Sequence, residues 1–163
     1  MDSGGARRNS GSSSTVLSRR GGRDGNAVAE PMAAVTDTHS LLYHAGSRPA
    51  RLGRRARAHF AACERGEAML YVPAAVIWEC SLLARRGRVD LGRPVRAFFE
   101  GLFSNPAYQA LELTPEQVYL AAEAQPNDDP FDGLICAAAR SLGLALITRD
   151  EEIRASSLVK VIW

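Results

Sequence analysis

From residue 32 onward, the sequence alternates between short apolar segments and longer segments in which the apolar residues have helical spacing. The short segments predict β-strands over residues 32–37, 68–72, 108–113, 144–148 and 158–163. Strands separated by helices join as βαβ units, in which the strands run parallel and the connections are right-handed. Because a parallel sheet is covered on both faces, the pattern predicts a three-layer α/β/α fold around a mostly parallel five-stranded sheet.

The longer segments predict about six helices, and several carry start or stop signals. Thr38 is a predicted N-cap directly after the first strand, with residues 40–43 beyond it. Thr114 and Pro115 predict the start of a short helix that continues to residue 124, and Gly66 and Gly143 predict helix ends. The other predicted helices cover residues 48–65, 74–86, 92–103 and 131–142, and residues 149–155 form a short turn or helix.

The first 31 residues differ in composition from the rest of the chain. They are rich in Ser, Gly and Arg and poor in large apolar side chains, so little burial offsets the entropy of ordering them. They contain five Arg and three acids, which leaves 15 of the 20 basic and 15 of the 18 acidic side chains to residues 32–163. The sequence therefore predicts a disordered basic tail (residues 1–31) and one neutral folded domain (residues 32–163), whose attraction to nucleic acid depends on charge arrangement.

The cysteine content and the length of the apolar segments exclude several protein classes. Cys63, Cys80 and Cys136 are widely separated and odd in number, which favours neither a disulfide framework nor a thiolate zinc site. No segment approaches the roughly 18 to 20 apolar residues that a membrane span requires, and the N-terminal stretch lacks the apolar core of a secretory signal. These features predict a cytoplasmic protein without a membrane partner.

Four acids are predicted to gather at one edge of the sheet. Asp37 ends the first strand, Asp150 follows the fourth strand, Asp132 lies in the first turn of a helix and Glu79 lies on the helix after the second strand. In an open parallel sheet, ligands bind outside the carboxyl ends of the strands, where the strand order reverses. Asp132 and its neighbour Asp129 could instead be acids that favour a helix N-terminus, and Asp150 could be a turn residue.

Converging carboxylates repel one another unless protons or cations neutralise them. A set of oxygen ligands without His or Cys at ligand spacing suits Mg²⁺ or Mn²⁺ better than zinc. Such ions commonly serve phosphate chemistry, because they activate water for attack on a phosphodiester and stabilise the departing oxygen. The residues therefore predict metal-dependent hydrolysis of a phosphodiester bond, leaving a 5′-phosphate and a 3′-hydroxyl.

Four segments of the sequence resemble, in the same order, the four acidic motifs of PIN domains. They are residues 37–42 (DTHSLL), 76–79 (VIWE), 129–139 (DPFDGLICAAA) and 146–150 (LITRD). The match is closest to VapC-type toxins of bacterial toxin–antitoxin systems and covers about residues 33–163. The resemblance implies the PIN fold, endoribonuclease activity that depends on Mg²⁺ or Mn²⁺, a homodimer, and inhibition by a cognate antitoxin.

The resemblance also implies roles for individual residues. Asp37, Glu79, Asp132 and Asp150 match the catalytic and metal-binding acids of the family. Thr38 and Thr148 match polar residues that lie beside the first and last of these acids. With Asp129, they are candidates to support the acids. The alternative is a PIN-like domain that has lost catalysis and only binds RNA or a partner protein.

Two further protein classes place carboxylates at strand ends and are disfavoured by single positions. A receiver domain requires a Lys after a late strand, whereas the only Lys is Lys160, inside the last predicted strand. A phosphatase of the haloacid-dehalogenase type requires a second Asp two residues after Asp37, and that position is His39. The sequence therefore favours a PIN-type nuclease over either class.

Two further groups of side chains, the arginines and an apolar stripe, admit two interpretations each. The basic residues are concentrated in two helical regions, where they form a solvated face or contact RNA phosphates: Arg51, Arg54, Arg55 and Arg57, then Arg85, Arg86, Arg88, Arg93 and Arg96. An apolar stripe is predicted to be core or a partner surface: Phe98, Phe99, Leu102 and Phe103. Trp78 and Trp163 are predicted to be core residues. The three histidines share no helical face, which disfavours a metal or general-base role.

Overall fold

The protein is described by a computed structural model, which covers residues 32–46 and 48–163. The predicted basic tail, residues 1–31, lies outside the described residues. Within the described ranges the chain forms five strands and seven α-helices. The strands are β1 (Ala33–Thr36), β2 (Met69–Pro73), β3 (Tyr108–Leu111), β4 (Ala145–Ile147) and β5 (Val161–Ile162).

All the strand pairs of this sheet are parallel, and the strand order is β3-β2-β1-β4-β5. Val35 of β1 pairs with Tyr71 on one side and Leu146 on the other. The chain therefore moves outward from β1 through β2 to β3, then returns to the other side of β1 for β4 and β5. This reversal creates a switch point between β1 and β4, where parallel α/β sheets bind ligands at their carboxyl ends.

Helices cover both faces of the sheet. Successive residues of a strand point to opposite faces, and both Ala34 and Val35 are fully buried, as are Leu146 and Ile147. The predicted three-layer α/β fold is thus confirmed. The helices are α1 (Thr38–Ala45), α2 (Arg54–Glu64), α3 (Ala74–Arg85), α4 (Val95–Phe103), α5 (Pro115–Glu123), α6 (Pro130–Leu142) and α7 (Glu151–Ser156). In the described part of the chain, none of these helices has the length and apolarity to cross a membrane.

The predicted helix over residues 48–65 is wrong in its first third. Pro49–Arg51 forms a short 3-10 turn, and α2 begins at Arg54 with Gly53 as its N-cap. A Cβ atom at Gly53 would lie 2.4 Å from the carbonyl carbon of Trp163 and 2.8 Å from its ring. The helix does not extend through this glycine, because the last residue of the sequence packs directly against its backbone.

Two other helix starts differ from the prediction. The N-cap of α1 is Asp37, whose carboxylate accepts a hydrogen bond from the Ser40 amide, and Thr38 is already the first helical residue. The helix predicted from residue 92 begins at Val95, because Pro94 fixes an extended backbone before it (φ −55°, ψ 144°). The strands β3 and β5 are also shorter than predicted.

Replacing Gly53 with Ala is expected to lower the melting temperature. Overpacking a contact of this kind costs about 1–3 kcal/mol, which corresponds to a decrease of about 3–10 °C in a domain of this size. Gly101→Ala in α4 is the matched control, because the nearest atom to its Cβ would be the flexible Arg93 guanidinium at 3.4 Å. Alanine favours a helix over glycine, so this variant should melt at or above the wild-type temperature. Equal melting temperatures for the two variants would contradict the packing of Trp163 on Gly53.

One core prediction is wrong. Trp78 is 53% exposed, on the outer side of α3, whereas Trp163 packs against the buried core as predicted. In the apolar stripe, Phe99 is buried, and Phe98, Leu102 and Phe103 are partly buried against the same core. A tryptophan at helical spacing among apolar residues gives no signal that separates a core position from a surface position.

Candidate active site

Asp37 occupies the end of β1 at the switch point of the sheet. Its amide donates a hydrogen bond to the Ile147 carbonyl of β4 (3.1 Å), which fixes the backbone between the two central strands. One carboxylate oxygen, Oδ1, caps α1 by accepting from the Ser40 amide at 2.6 Å. The residue is only 6% exposed. A capping role and a ligand role are compatible, because a carboxylate has two oxygens.

The surroundings of Asp37 disfavour its charged form. Burial raises the pKa of this carboxyl, and the Ser40 hydroxyl, the Thr148 hydroxyl, the Ser40 amide and the charge of His39 act in the opposite direction. In the described chain, Asp37 makes no ion pair with Arg or Lys. The buried Ser40 hydroxyl lies beside this carboxylate and interacts with it. A buried acid without an Arg or Lys counterion among the described residues is an environment that a bound cation would complete.

Glu79 projects from the second turn of α3 toward the same edge. It is half-buried and accepts a hydrogen bond from the Thr38 hydroxyl, directly beside Asp37. Burial raises its pKa, and the charges of Asp129 and Asp37 add to this effect. The Thr38 hydroxyl therefore connects α1 to Glu79 of α3. The N-cap of α1 is Asp37 instead of Thr38.

Asp132 lies in the first turn of α6 and is partly buried. The Asn127 amide donates to its Oδ2 at 2.9 Å and also to Glu152 at 3.0 Å. Burial raises the pKa of Asp132 to about 6, and the charges of Asp129, Asp150 and Glu79 contribute further. This acid is therefore partly protonated near neutral pH unless a cation compensates its charge.

Asp129 and Asp150 both cap helices. The alternative interpretation of Asp129 as an acid at a helix N-terminus is therefore confirmed, whereas Asp150 begins a helix and is not a turn residue. Asp129 caps α6 by accepting from the Phe131 amide at 2.8 Å. Asp150 caps α7 by accepting from the Ile153 amide at 2.9 Å, and its own amide donates to the Thr148 hydroxyl at 3.0 Å. These hydrogen bonds fix the position of each acid, and each of them uses only one of the two carboxylate oxygens.

Three of the four predicted acids, Asp37, Asp132 and Asp150, line two adjoining clefts of the structure. One cleft of about 620 Å³ is lined by Asp37 and Asp150, and another of about 520 Å³ is lined by Asp132 and Asp150. Glu79 interacts electrostatically with both Asp37 and Asp132. Within residues 32–46 and 48–163, however, no group of three or more His, Cys, Asp or Glu side chains lies close enough together to hold a metal ion directly.

The donor set nevertheless fits a hydrated Mg²⁺ ion. Mg²⁺ prefers oxygen ligands, keeps several of its waters and binds proteins through one or two carboxylates. It therefore does not require three acids at direct coordinating distance. The raised pKa values, and the absence of ion pairs between these acids and Arg or Lys within the described residues, agree with a cation in this region.

Sequence reasoning assigned no role at this edge to two residues, His39 and Asn127. His39 is exposed, and its charge lowers the pKa of both Asp37 and Glu79. Asn127 bridges Asp132 and Glu152. The acidic composition of residues 126–132 was a signal for this loop, but an amide that bridges two acids far apart in sequence leaves no pattern that spacing reveals.

The comparisons with known proteins concern most of the chain. The PIN domain family model matches residues 34–157, and the comparison with curated proteins finds no match. VapBC2 from Rickettsia felis bound to a promoter DNA fragment has a similar fold, with 11% identity and a TM-score of 0.58 over 80% of this chain and 97% of that chain. FitAcB from Neisseria gonorrhoeae shows 19% identity and a TM-score of 0.55 over 80% and 96% of the two chains. A toxin–antitoxin complex from Klebsiella pneumoniae shows 15% identity and a TM-score of 0.51 over 77% and 94%.

Proposed function

The chain belongs to the PIN domain family, and on that premise we propose that it is an endoribonuclease that depends on Mg²⁺ or Mn²⁺. The observation that carries the proposal is the group of acids around the switch point. Among the described residues they make no ion pair with Arg or Lys, and burial raises the pKa of Asp37, Glu79 and Asp132. Burial and mutual repulsion disfavour the charged forms of these acids, and a divalent cation would stabilise those charged forms.

Each acid has a proposed role that follows from its position. Asp37, Asp132 and Asp150 hold the ion, and Glu79 holds the ion or orients the attacking water. Thr38 fixes the rotamer of Glu79 through its hydroxyl. When bound, the ion supplies a strong nucleophile at neutral pH and stabilises the departing oxygen.

The neighbouring polar residues hold the backbone at the starts of two helices, α7 and α6. The Thr148 hydroxyl accepts a hydrogen bond from the Asp150 amide and so sets the direction in which α7 begins. Asp129 sets the start of α6, and thereby the position of Asp132 one turn later. Both residues thus act by positioning, and neither needs to touch the RNA.

We also propose that the protein is the toxin of a toxin–antitoxin pair and acts in the cytoplasm as a homodimer. The support is that similar solved structures include a toxin–antitoxin complex. A half-exposed Trp78 beside Glu79 on α3 gives such a partner or second copy an apolar contact near the acids.

One observation favours a second candidate function. No three acids of the described chain lie at direct coordinating distance of a common point, which is compatible with a PIN-like domain that binds RNA or a protein without cleaving it. The two candidates differ in whether cleavage depends on the divalent ion.

A metal titration with unstructured RNA tests the proposed function. We expect no cleavage by the full chain in EDTA, and cleavage that rises and saturates with Mg²⁺ or Mn²⁺. The products should carry 5′-phosphates, which a 5′-phosphate-dependent exonuclease detects. RNA binding without cleavage at any concentration of either ion would support the second candidate instead.

A further inference from the structure

A third cleft adjoins the acidic cleft that contains Asp37 and has a different character. It has a volume of about 660 Å³, and its charged lining residues are three arginines (Arg48, Arg51 and Arg88) and one acid, Asp90. Apolar side chains such as Leu83 and Phe98 complete this basic cleft. His39 and Tyr43 line this cleft and the acidic cleft that contains Asp37. The two clefts therefore meet at these side chains. A linear polymer bound at the acids can continue from there into the basic cleft.

Tyr43 lies at the junction with two guanidinium groups over its ring. The Cζ atoms of Arg51 and Arg149 are 5.6 Å and 5.7 Å from the ring centroid, within the range of cation–π attraction. The two arginines come from distant parts of the chain, the 3-10 turn before α2 and the segment between β4 and α7. The aromatic ring thus brings together two cations that would otherwise repel each other.

These guanidinium groups have no acidic partner in the described part of the chain. Neither Arg51 nor Arg149 makes an ion pair there, and both side chains are exposed. Arg149 directly precedes Asp150, so a phosphate bound by Arg149 lies next to the acids. Guanidinium groups bind phosphate oxygens through paired hydrogen bonds, and the unused donors point to a polyanion as the missing partner.

We propose that Tyr43, Arg51 and Arg149 form a subsite for unpaired RNA, which guides the strand from the acids into the basic cleft. This inference rests on the proposed function and names the part of the substrate that the site recognises. The mixture of arginine, aromatic and apolar side chains matches what single strands require, because unpaired bases stack on rings and guanidinium planes. A duplex offers its backbone but keeps its bases stacked inside.

The test is the affinity of the full chain for a short fluorescein-labelled oligouridylate, measured in EDTA by anisotropy. Arg51→Ala with Arg149→Ala should weaken binding by about 10-fold or more and reduce the magnitude of the salt slope by about 0.7 per lost phosphate contact. Arg65→Ala is the matched control, because this exposed arginine pairs with Glu67 outside both clefts. It should change binding by less than about 2-fold.

Variants of Tyr43 separate a built subsite from general charge attraction. Tyr43→Leu removes the ring without changing the charge and should weaken binding by about 5-fold, the lower end of the range for a lost base–aromatic contact. Tyr43→Phe keeps the ring and should bind as wild type does. Equal losses in the arginine pair and in Arg65→Ala, or equal affinity for a duplex of the same length, would overturn the proposal.

The outcomes for this subsite and for the proposed function are distinguishable. If RNA binding behaves as expected but no ion supports cleavage, the subsite stands and the nuclease proposal fails. If the protein cleaves RNA and the arginine pair changes neither KM nor the affinity in EDTA, the nuclease stands and the subsite fails. Loss of binding to a partner protein, with RNA affinity unchanged, would assign the cleft to that protein and overturn the subsite.

Discussion

Asp37→Asn is expected to reduce metal-dependent RNA cleavage by on the order of 10²–10³-fold, the usual cost of removing one strong electrostatic contact from the transition state. The substitution removes the negative charge at the switch point of the sheet and leaves a neutral oxygen that binds Mg²⁺ weakly. Cleavage of a labelled RNA at saturating Mg²⁺ or Mn²⁺, compared with wild type at equal concentration, measures the effect.

The substitution is suitable because it leaves the local fold intact. Asn caps a helix about as well as Asp does, so its side-chain oxygen can still accept from the Ser40 amide. The metal-free variant should melt at or above the wild-type temperature, because the charged form of Asp37 is disfavoured by burial. Glu116→Gln, an exposed acid in the first turn of α5, is the control and should keep full activity. Equal activity of Asp37→Asn and wild type would remove Asp37 from the proposed chemistry.

The features of the fold that sequence predicted well are the periodic ones. Apolar runs such as residues 144–148 and helix signals such as Thr114 with Pro115 depend on neighbours in sequence, and the structure confirms β4 and α5 at these positions. The break at Gly53 could not be predicted in this way. Its cause is the contact with Trp163, more than one hundred positions later, and no local pattern carries such information.

The arrangement of the acids was likewise predictable in part: strand order can be predicted from sequence, but side-chain contacts cannot. That Asp37 and Asp150 approach each other follows from strand order, because both come after central strands of a parallel sheet. Spacing could not reveal which oxygens are used by helix caps, nor that Thr38 serves Glu79 instead of the helix start. The meeting of Arg51 and Arg149 on Tyr43 also depends on side-chain directions, which the sequence does not specify.

The raised pKa values connect the acids to the stability of the whole domain. A carboxyl whose pKa is higher in the folded state stabilises the fold most at low pH, and this contribution is lost as the pH rises through the folded value. For Asp132 the loss extends from the ordinary value of 3.8 to about 6. Asp37 and Glu79 have raised pKa values and change stability in the same direction.

In EDTA, Asp132→Asn is therefore expected to melt at a higher temperature than wild type at neutral pH. The difference should shrink as the pH falls through about 6 and vanish only below the ordinary value of 3.8, where the wild-type carboxyl is protonated in both states. The comparison between the two proteins isolates this carboxyl from Glu64 and Glu67, whose lowered pKa values act in the opposite direction. Differential scanning fluorimetry over this pH range measures the effect.

Adding the divalent ion should close most of the difference between the two proteins. At about 100 times its dissociation constant, a ligand that binds only the folded state adds about 2.7 kcal/mol, which raises the melting temperature of a domain of this size by about 5–10 °C. Wild type should show this increase with Mn²⁺ at neutral pH, and Asp132→Asn should show a much smaller one because it has lost a ligand. Ca²⁺-free buffer with K⁺ at equal ionic strength controls for general screening. An equal increase in both proteins would mean that the ion binds away from Asp132, and the proposed metal site would then be wrong.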